Sequence, residues 1–179
     1  TLSGANLTGA NLTGANLDST YLTQTDFTDA NLTDANLAST NNSVAFLRPD
    51  LTLTNLTGAN LTRANLAHTS LVDMELIRLN LTGANLDDID LRNARLDGLN
   101  LRGATLRRAH LANTSLADAD LTRAQLTGAN LTGANLTGAN LSDATLSDAD
   151  LTHAQLIDAT LSDADLTRAQ LTGANLTGA

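Results

Sequence analysis

Residues 119–134 read ADLTRAQLTGANLTGA, and the three leucines of that stretch, Leu121, Leu126 and Leu131, stand five residues apart. The same step extends in both directions. It runs without a miss from Leu51 to Leu176, and an earlier run keeps it from Leu2 to Leu37 with Phe27 as its one substitution. Two places before each centre stands a small residue, usually Ala, as at Ala5, Ala10, Ala59 and Ala129. Asn or Asp often lies between the two, and Thr, Ser or another polar residue follows. All twelve glycines fall in one column, two places after a centre.

A period of five suits neither common element. On an α-helix, five steps of about 100° carry each Leu around the cylinder and leave no apolar face. On a flat strand, an odd step sends alternate leucines to opposite faces. The period works if the chain turns a corner every five residues. Each centre and the small residue two before it then point inward, and the other three positions face water. Four sides close a coil of twenty residues, and successive coils stack at the inter-strand spacing of about 4.8 Å with their backbones paired. A turn position with positive φ, repeated at each corner, selects Gly and favours Asn and Asp. The expected fold is all-β: a solenoid of about nine coils, roughly 40 Å long at that spacing.

The chain of 179 residues fits one domain. Only 2% of its residues are aromatic, namely Tyr21, Phe27 and Phe46, so the core is expected to be uniform. The net charge is −9 and every basic residue is Arg, which argues against direct binding of nucleic acid. No Cys is present, so disulfides and thiolate metal sites are excluded. No apolar run is long enough to span a bilayer. Opening on Thr1 and ending mid-pattern at Ala179, the chain is expected to be a piece of a longer protein.

The units ANLTG, ADLTR, AQLTG and ATLSD resemble the A(D/N)LXX motif of the pentapeptide-repeat family over nearly the whole chain. That resemblance implies a right-handed quadrilateral β-helix and a non-enzymatic scaffold or protein-interaction role, with a protein partner and no cofactor. Some members of the family bind DNA gyrase as acidic rods of B-DNA width. Duplex DNA carries a charge per about 1.7 Å, so a rod of this length would need about 25 charges, against −9 here. The Leu-centred, Asn-rich, Thr-Gly-rich units look most like cyanobacterial members. The long, nearly perfect array resembles the repeat domain of one such member in which the array follows membrane-spanning segments, and that resemblance implies membrane association through segments outside this chain. A monomer is the default expectation.

The pattern divides into a first run, residues 1–37, an irregular break, 38–50, and a second run, 51–179. From Leu37 to Leu51 the spacing is fourteen rather than fifteen, which reads as the loss of one residue. Val44-Ala45-Phe46 reads as a degenerate repeat in the second register, and Pro49 is the only proline. Irregularities in regular scaffolds often carry binding, so Ser39, Asn41, Asn42, Arg48 and Pro49 are candidate docking or hinge residues. Met74, Leu79, Ile89 and Leu99 replace Ala in the small inner column and are expected to widen the core locally.

Arg92, Arg95, Arg102, Arg107 and Arg108 form a basic belt, spread by a twenty-residue coil over all four sides. Asp88 stands one coil from Arg108, Arg123 one coil from Asp143, and Asp148 one coil from Arg168, a pattern of charge ladders. His68, His110 and His153 lie in outward columns with no ligand-like spacing, so no metal site is expected. No Ser or Thr has the buried His and acid of a nucleophile, so no catalytic residue is assigned. Asn-Leu-Thr recurs as a by-product of the repeat. Residues 119–134 recur identically as 164–179, at an offset that turns the second copy onto a different side.

Overall fold

The computed structural model describes residues 1–18, 20–38, 60–67, 69–72, 74, 76 and 78–179. These residues contain no helix and no long strand. Instead, one bridge residue per repeat, immediately before each centre, pairs in parallel with the residue one coil on, as in Asn80↔Asn100, Asn100↔Asp120 and Asp120↔Asn140. The backbone needs no longer strand, because each repeat shares three hydrogen bonds with the coil above. Leu121 N–H donates to the Asn140 carbonyl (2.7 Å), Arg123 N–H to Ser142 (2.9 Å), and Asn140 N–H back to Ala119 (2.9 Å). A fourth bond closes the corner within the repeat, from Ala124 N–H to the Leu121 carbonyl at 2.9 Å.

The third residue of every described corner has positive φ. Glycine occupies many of these places, for example Gly138 at 68°, but Arg63 (54°), Asp118 (57°) and His153 (59°) adopt the same conformation. The corner therefore tolerates side chains that face open solvent, at the modest cost of a left-handed residue. At Gly138 a second reason for glycine applies. The Asp118 side chain from the coil below leans across it, and a Cβ there would meet that carboxylate.

Four walls follow in order. Wall A is centred on Leu61, Leu81, Leu101 and so on, wall B on Leu66 and its successors, wall C on Leu71, and wall D on Leu76. Leu and Ala fill the interior as stacked columns; Leu121, Ala124, Leu126, Leu131, Ala134 and Leu136 are all 0% exposed. Where Thr replaces Ala, its hydroxyl is satisfied by a carbonyl. Thr25 donates to Leu2 O (2.9 Å), Thr69 to Leu66 O (2.7 Å) and Thr114 to Leu91 O (2.7 Å). Among the described residues no buried side-chain polar atom lacks a partner.

Leu79, Ile89 and Leu99 are buried in the inner column, and Met74 packs against the core partly exposed. An apolar void of about 10 Å³ lies beside Leu79 and Ile89. It offers no polar lining to hold a water.

The candidate residues Ser39, Asn41, Asn42, Arg48 and Pro49 lie outside the described residues. Their flanks fix the size of the interruption. Asn31 bridges Asn60, and Asn36 bridges Asn65. From 31 to 60 is twenty-nine residues, nine more than a regular coil of twenty. Twenty-nine is one short of six whole repeats. The leucine phase thus slips back by one residue while the coil grows by nine.

Candidate functional site

The outer surface is organised by the bridge residues. On wall A Asn11, Asn31, Asn60 and Asn80 are each followed two places on by Thr, and the pair makes a local clamp. Thr62 Oγ1 donates to Asn60 Oδ1 at 2.6 Å, and the Thr62 backbone N–H donates to the same oxygen at 3.1 Å. The free amide then reaches down one coil: Asn31 Nδ2 to Thr13 Oγ1 (3.1 Å), Asn60 Nδ2 to Thr33 Oγ1 (3.1 Å), Asn80 Nδ2 to Thr62 Oγ1 (3.0 Å). On wall B the residue two places on lacks that hydroxyl, being Asp18, Ala38, Ala67 or Asp87. There the amides stack directly: Asn36 Nδ2 to Asn16 Oδ1 (3.3 Å), Asn65 to Asn36 (3.2 Å), Asn85 to Asn65 (3.0 Å). One side chain thus selects between two ladders. Asn-Leu-Thr, a by-product of the repeat on first reading, marks the first kind on wall A, whereas at Asn130 and Asn135 on walls C and D only the Thr backbone N–H meets the amide oxygen.

The belt arginines do not converge. Arg102 lies on wall A, Arg107 and Arg108 on wall B, Arg92 on wall C and Arg95 on wall D, and each has a carboxylate. The pairs are Arg92–Asp90 (2.7 Å), Arg95–Asp97 (3.3 Å), Arg102–Asp120 (3.4 Å), Arg107–Asp87 (3.6 Å) and Arg108–Asp88 (2.6 Å). The belt is a charge-compensated zone rather than an anion site. Further along, Arg123 meets Asp143 at 3.4 Å and Arg168 meets Asp148 at 2.6 Å. These two arginines belong to the duplicated stretches, yet one reaches forward a coil and the other back, because the local column decides where the acid stands. All are exposed pairs, which solvent screens to a small net contribution.

Charge is unevenly distributed along the rod. Residues 1–38 carry Asp18, Asp26, Asp29 and Asp34 and no base; residues 124–142 carry no charge. Residues 143–168 carry six Asp and one Arg, a net of −5. In that last zone hydroxyls hold Asp150 and Asp165. Asp165 sits at about 2, below its ordinary value of 3.8, through hydrogen bonds from the Ser147 hydroxyl and then from the Thr167 hydroxyl and backbone N–H. The same kind of contact, led by the Thr152 hydroxyl, lowers Asp150, and Arg168 lowers Asp148. Burial pushes Asp120 up, but bonds from Thr122 and Arg102 outweigh it and leave it lowered.

The sign is that of depressed carboxylates. Their stabilisation is fully present above the unfolded value of about 3.8 and is lost as pH falls through the folded values toward 2. Denaturant midpoints are therefore expected to be flat from pH 7 to about 5 and to fall between about pH 4 and 2. Asp165→Asn should flatten the lower end of that fall. Chemical denaturation across the pH range checks it, and a midpoint that rose on acidification would contradict the assignment.

His110 and His153 are exposed, and no group of His, Cys, Asp or Glu among the described residues could hold a metal ion. His68 lies outside them. No helix among the described residues is long and apolar enough to cross a membrane.

Four five-residue walls, a dry Leu/Ala interior and parallel pairing at one coil's step define a quadrilateral β-helix. The model of pentapeptide repeats matches in eight copies over residues 2–41, 50–74, 75–113, 104–143 and 139–178, and the chain belongs to the pentapeptide-repeat family. Residues 42–49, within the interruption, fall outside those matches. No curated protein matches the chain.

Among solved structures, the plasmid-mediated fluoroquinolone resistance protein QnrB1 is similar at 21% identity, over 96% of this chain and 79% of that one, with a TM-score of 0.56. A second QnrB1 structure gives 19%, 98%, 86% and 0.52. These likenesses show the fold, which is right-handed. HetL, a pentapeptide repeat protein of the cyanobacterium Nostoc involved in regulation of heterocyst differentiation, is 26% identical over 99% of this chain and 87% of that one, with a TM-score of 0.33.

Proposed function

We propose that this domain is a non-enzymatic scaffold that binds a protein partner, and that it forms the soluble repeat region of a cyanobacterial membrane protein which localises heterocyst envelope glycolipids. The observation that carries the scaffold reading is the closed interior. Leucine and alanine fill it, its one noted void is smaller than a ligand, and the buried polar groups described are all paired. Only the outer walls and the interruption are left to act. The cyanobacterial and membrane part rests on the likeness of the ANLTG-type units to cyanobacterial arrays. Within this reading the partner docks at the interruption, through Ser39, Asn41, Asn42, Arg48 and Pro49, because the coil that contains them is nine residues longer than a regular one.

The test is affinity capture from cyanobacterial membrane and soluble fractions, using the natural domain and a variant lacking nine residues, 39–47. Capture of envelope-assembly membrane proteins by the natural domain alone is the expected result. Equal capture by both forms would move binding onto the regular walls. A parallel supercoiling assay decides the gyrase alternative, in which the acidic rod acts as a DNA mimic: inhibition of gyrase at low protein concentration would replace the membrane reading. A domain that captures nothing and leaves gyrase untouched is a structural spacer.

A further inference from the structure

We infer that the two repeat runs form one cooperative body across the interruption, held in a single register by walls A and B, with the Asp34–Arg63 pair as the register key. The inference does not rest on the proposed function. It rests on how the residues on either side of the interruption meet.

On wall A, Leu32 N–H donates to Asn60 O at 2.8 Å, Asp34 N–H to Thr62 O at 3.0 Å, and Asn60 N–H to Ala30 O at 2.9 Å. On wall B, Leu37 N–H donates to Asn65 O and Asn65 N–H to Ala35 O, both at 2.8 Å. These values match the regular junction above, where Leu61 N–H meets Asn80 O at 2.8 Å and Arg63 N–H meets Thr82 O at 2.9 Å. Both side-chain ladders cross the junction without a missing rung, through Asn60 to Thr33 on one wall and Asn65 to Asn36 on the other. Beneath them Leu32, Leu37, Leu61 and Leu66 are at most 1% exposed. A hinge needs a junction with few buried contacts and solvent-exposed backbone bonds. Half the perimeter of this junction has neither property.

The core alone does not choose the register. Every wall presents Leu and Ala, so a slip of five residues would still place leucine over leucine. The outer side chains discriminate. Asp34 receives a two-pronged contact from Arg63, Nε to Oδ1 and Nη2 to Oδ2, both at 2.8 Å. Slipped by one repeat in either direction, Asp34 would stand opposite Gly58 or His68 instead. A planar guanidinium fork matched to a carboxylate is geometrically selective even where its net energy is small.

Native-state hydrogen exchange on the full chain tests both parts. The amides of Leu32, Asp34 and Leu37 should be protected to within about tenfold of those of Leu61, Arg63 and Leu66. Exchange of the first set roughly a hundredfold faster than the second would overturn the inference, because the first run would then open by itself. Asp34→Arg should speed exchange at the first set by roughly fivefold or more, the scale of one exposed pair, and adding Arg63→Asp should restore it. Indifference to Asp34→Arg, or no rescue by the swap, would remove the pair's role as key. If the single variant fails to fold, the wild-type comparison and the swapped double variant still decide the matter.

Discussion

Deleting Thr132 alone unfolds at least one coil, whereas deleting all twenty residues from Thr122 to Leu141 leaves a shorter rod that still folds. The contrast follows from what a coil is. Each corner closes by a bond from the small residue to the carbonyl three places back, as from Ala134 N–H to Leu131 O at 2.9 Å. Each wall then needs five residues to bring the next Leu inward. With three residues instead of four between Leu131 and Leu136, this corner cannot close in phase and the next wall cannot bring its leucine inward.

The four leucines of the affected coil, Leu121, Leu126, Leu131 and Leu136, are 0% exposed. At about 2 kcal/mol each, their burial is comparable to the whole stability of a typical domain. Removal of residues 122–141 instead joins Leu121 to Ser142 with both phase and wall order kept, and costs only one coil's share. Circular dichroism and thermal melts of the two variants are the measurement. A single-residue deletion that melted like the parent would show that the corners are not the rigid units described.

That reasoning also explains what could and could not be read from the residues. The inward columns were legible because a period of five admits one geometry for Leu and Ala together. The pairs Asp88–Arg108, Arg123–Asp143 and Asp148–Arg168 were legible because they are twenty residues apart, and the structure joins them. Arg92–Asp90 and Arg95–Asp97 were not, since residues two apart meet only when the corner between them has a particular shape. The interruption misled in a more basic way. Leucine phase is known only modulo five, and nine added residues leave the same remainder as one lost. Only the pairing of Asn31 with Asn60 separates the two. The Asn ladders hid for a third reason: Asn, Leu and Thr were counted as separate columns. The bond that matters joins the first and third of them, and then the coil below.

The second large effect concerns the inner column, where size is fixed by position. Leu99 is 4% exposed and Ala139 is 0% exposed, and both stand in the small column of wall A. Around Leu79 and Ile89 the interior already holds larger side chains and a void of about 10 Å³. Leu99→Ala takes three carbons from the column one coil beyond Leu79, which itself lines that void. It should cost about 2–5 kcal/mol, toward the upper part of that range if the void enlarges. Ala139→Leu does the reverse in a section where Leu136, Leu141 and Ala144 are all at most 1% exposed. The added methylenes must displace neighbours on two coils, at about 1–3 kcal/mol. Urea denaturation of both variants distinguishes the cases. If Ala139→Leu proved neutral while Leu99→Ala was costly, the small column would be a preference of the repeat and not a limit set by coil spacing. Leu79, Ile89 and Leu99 would then need no widened core to accommodate them.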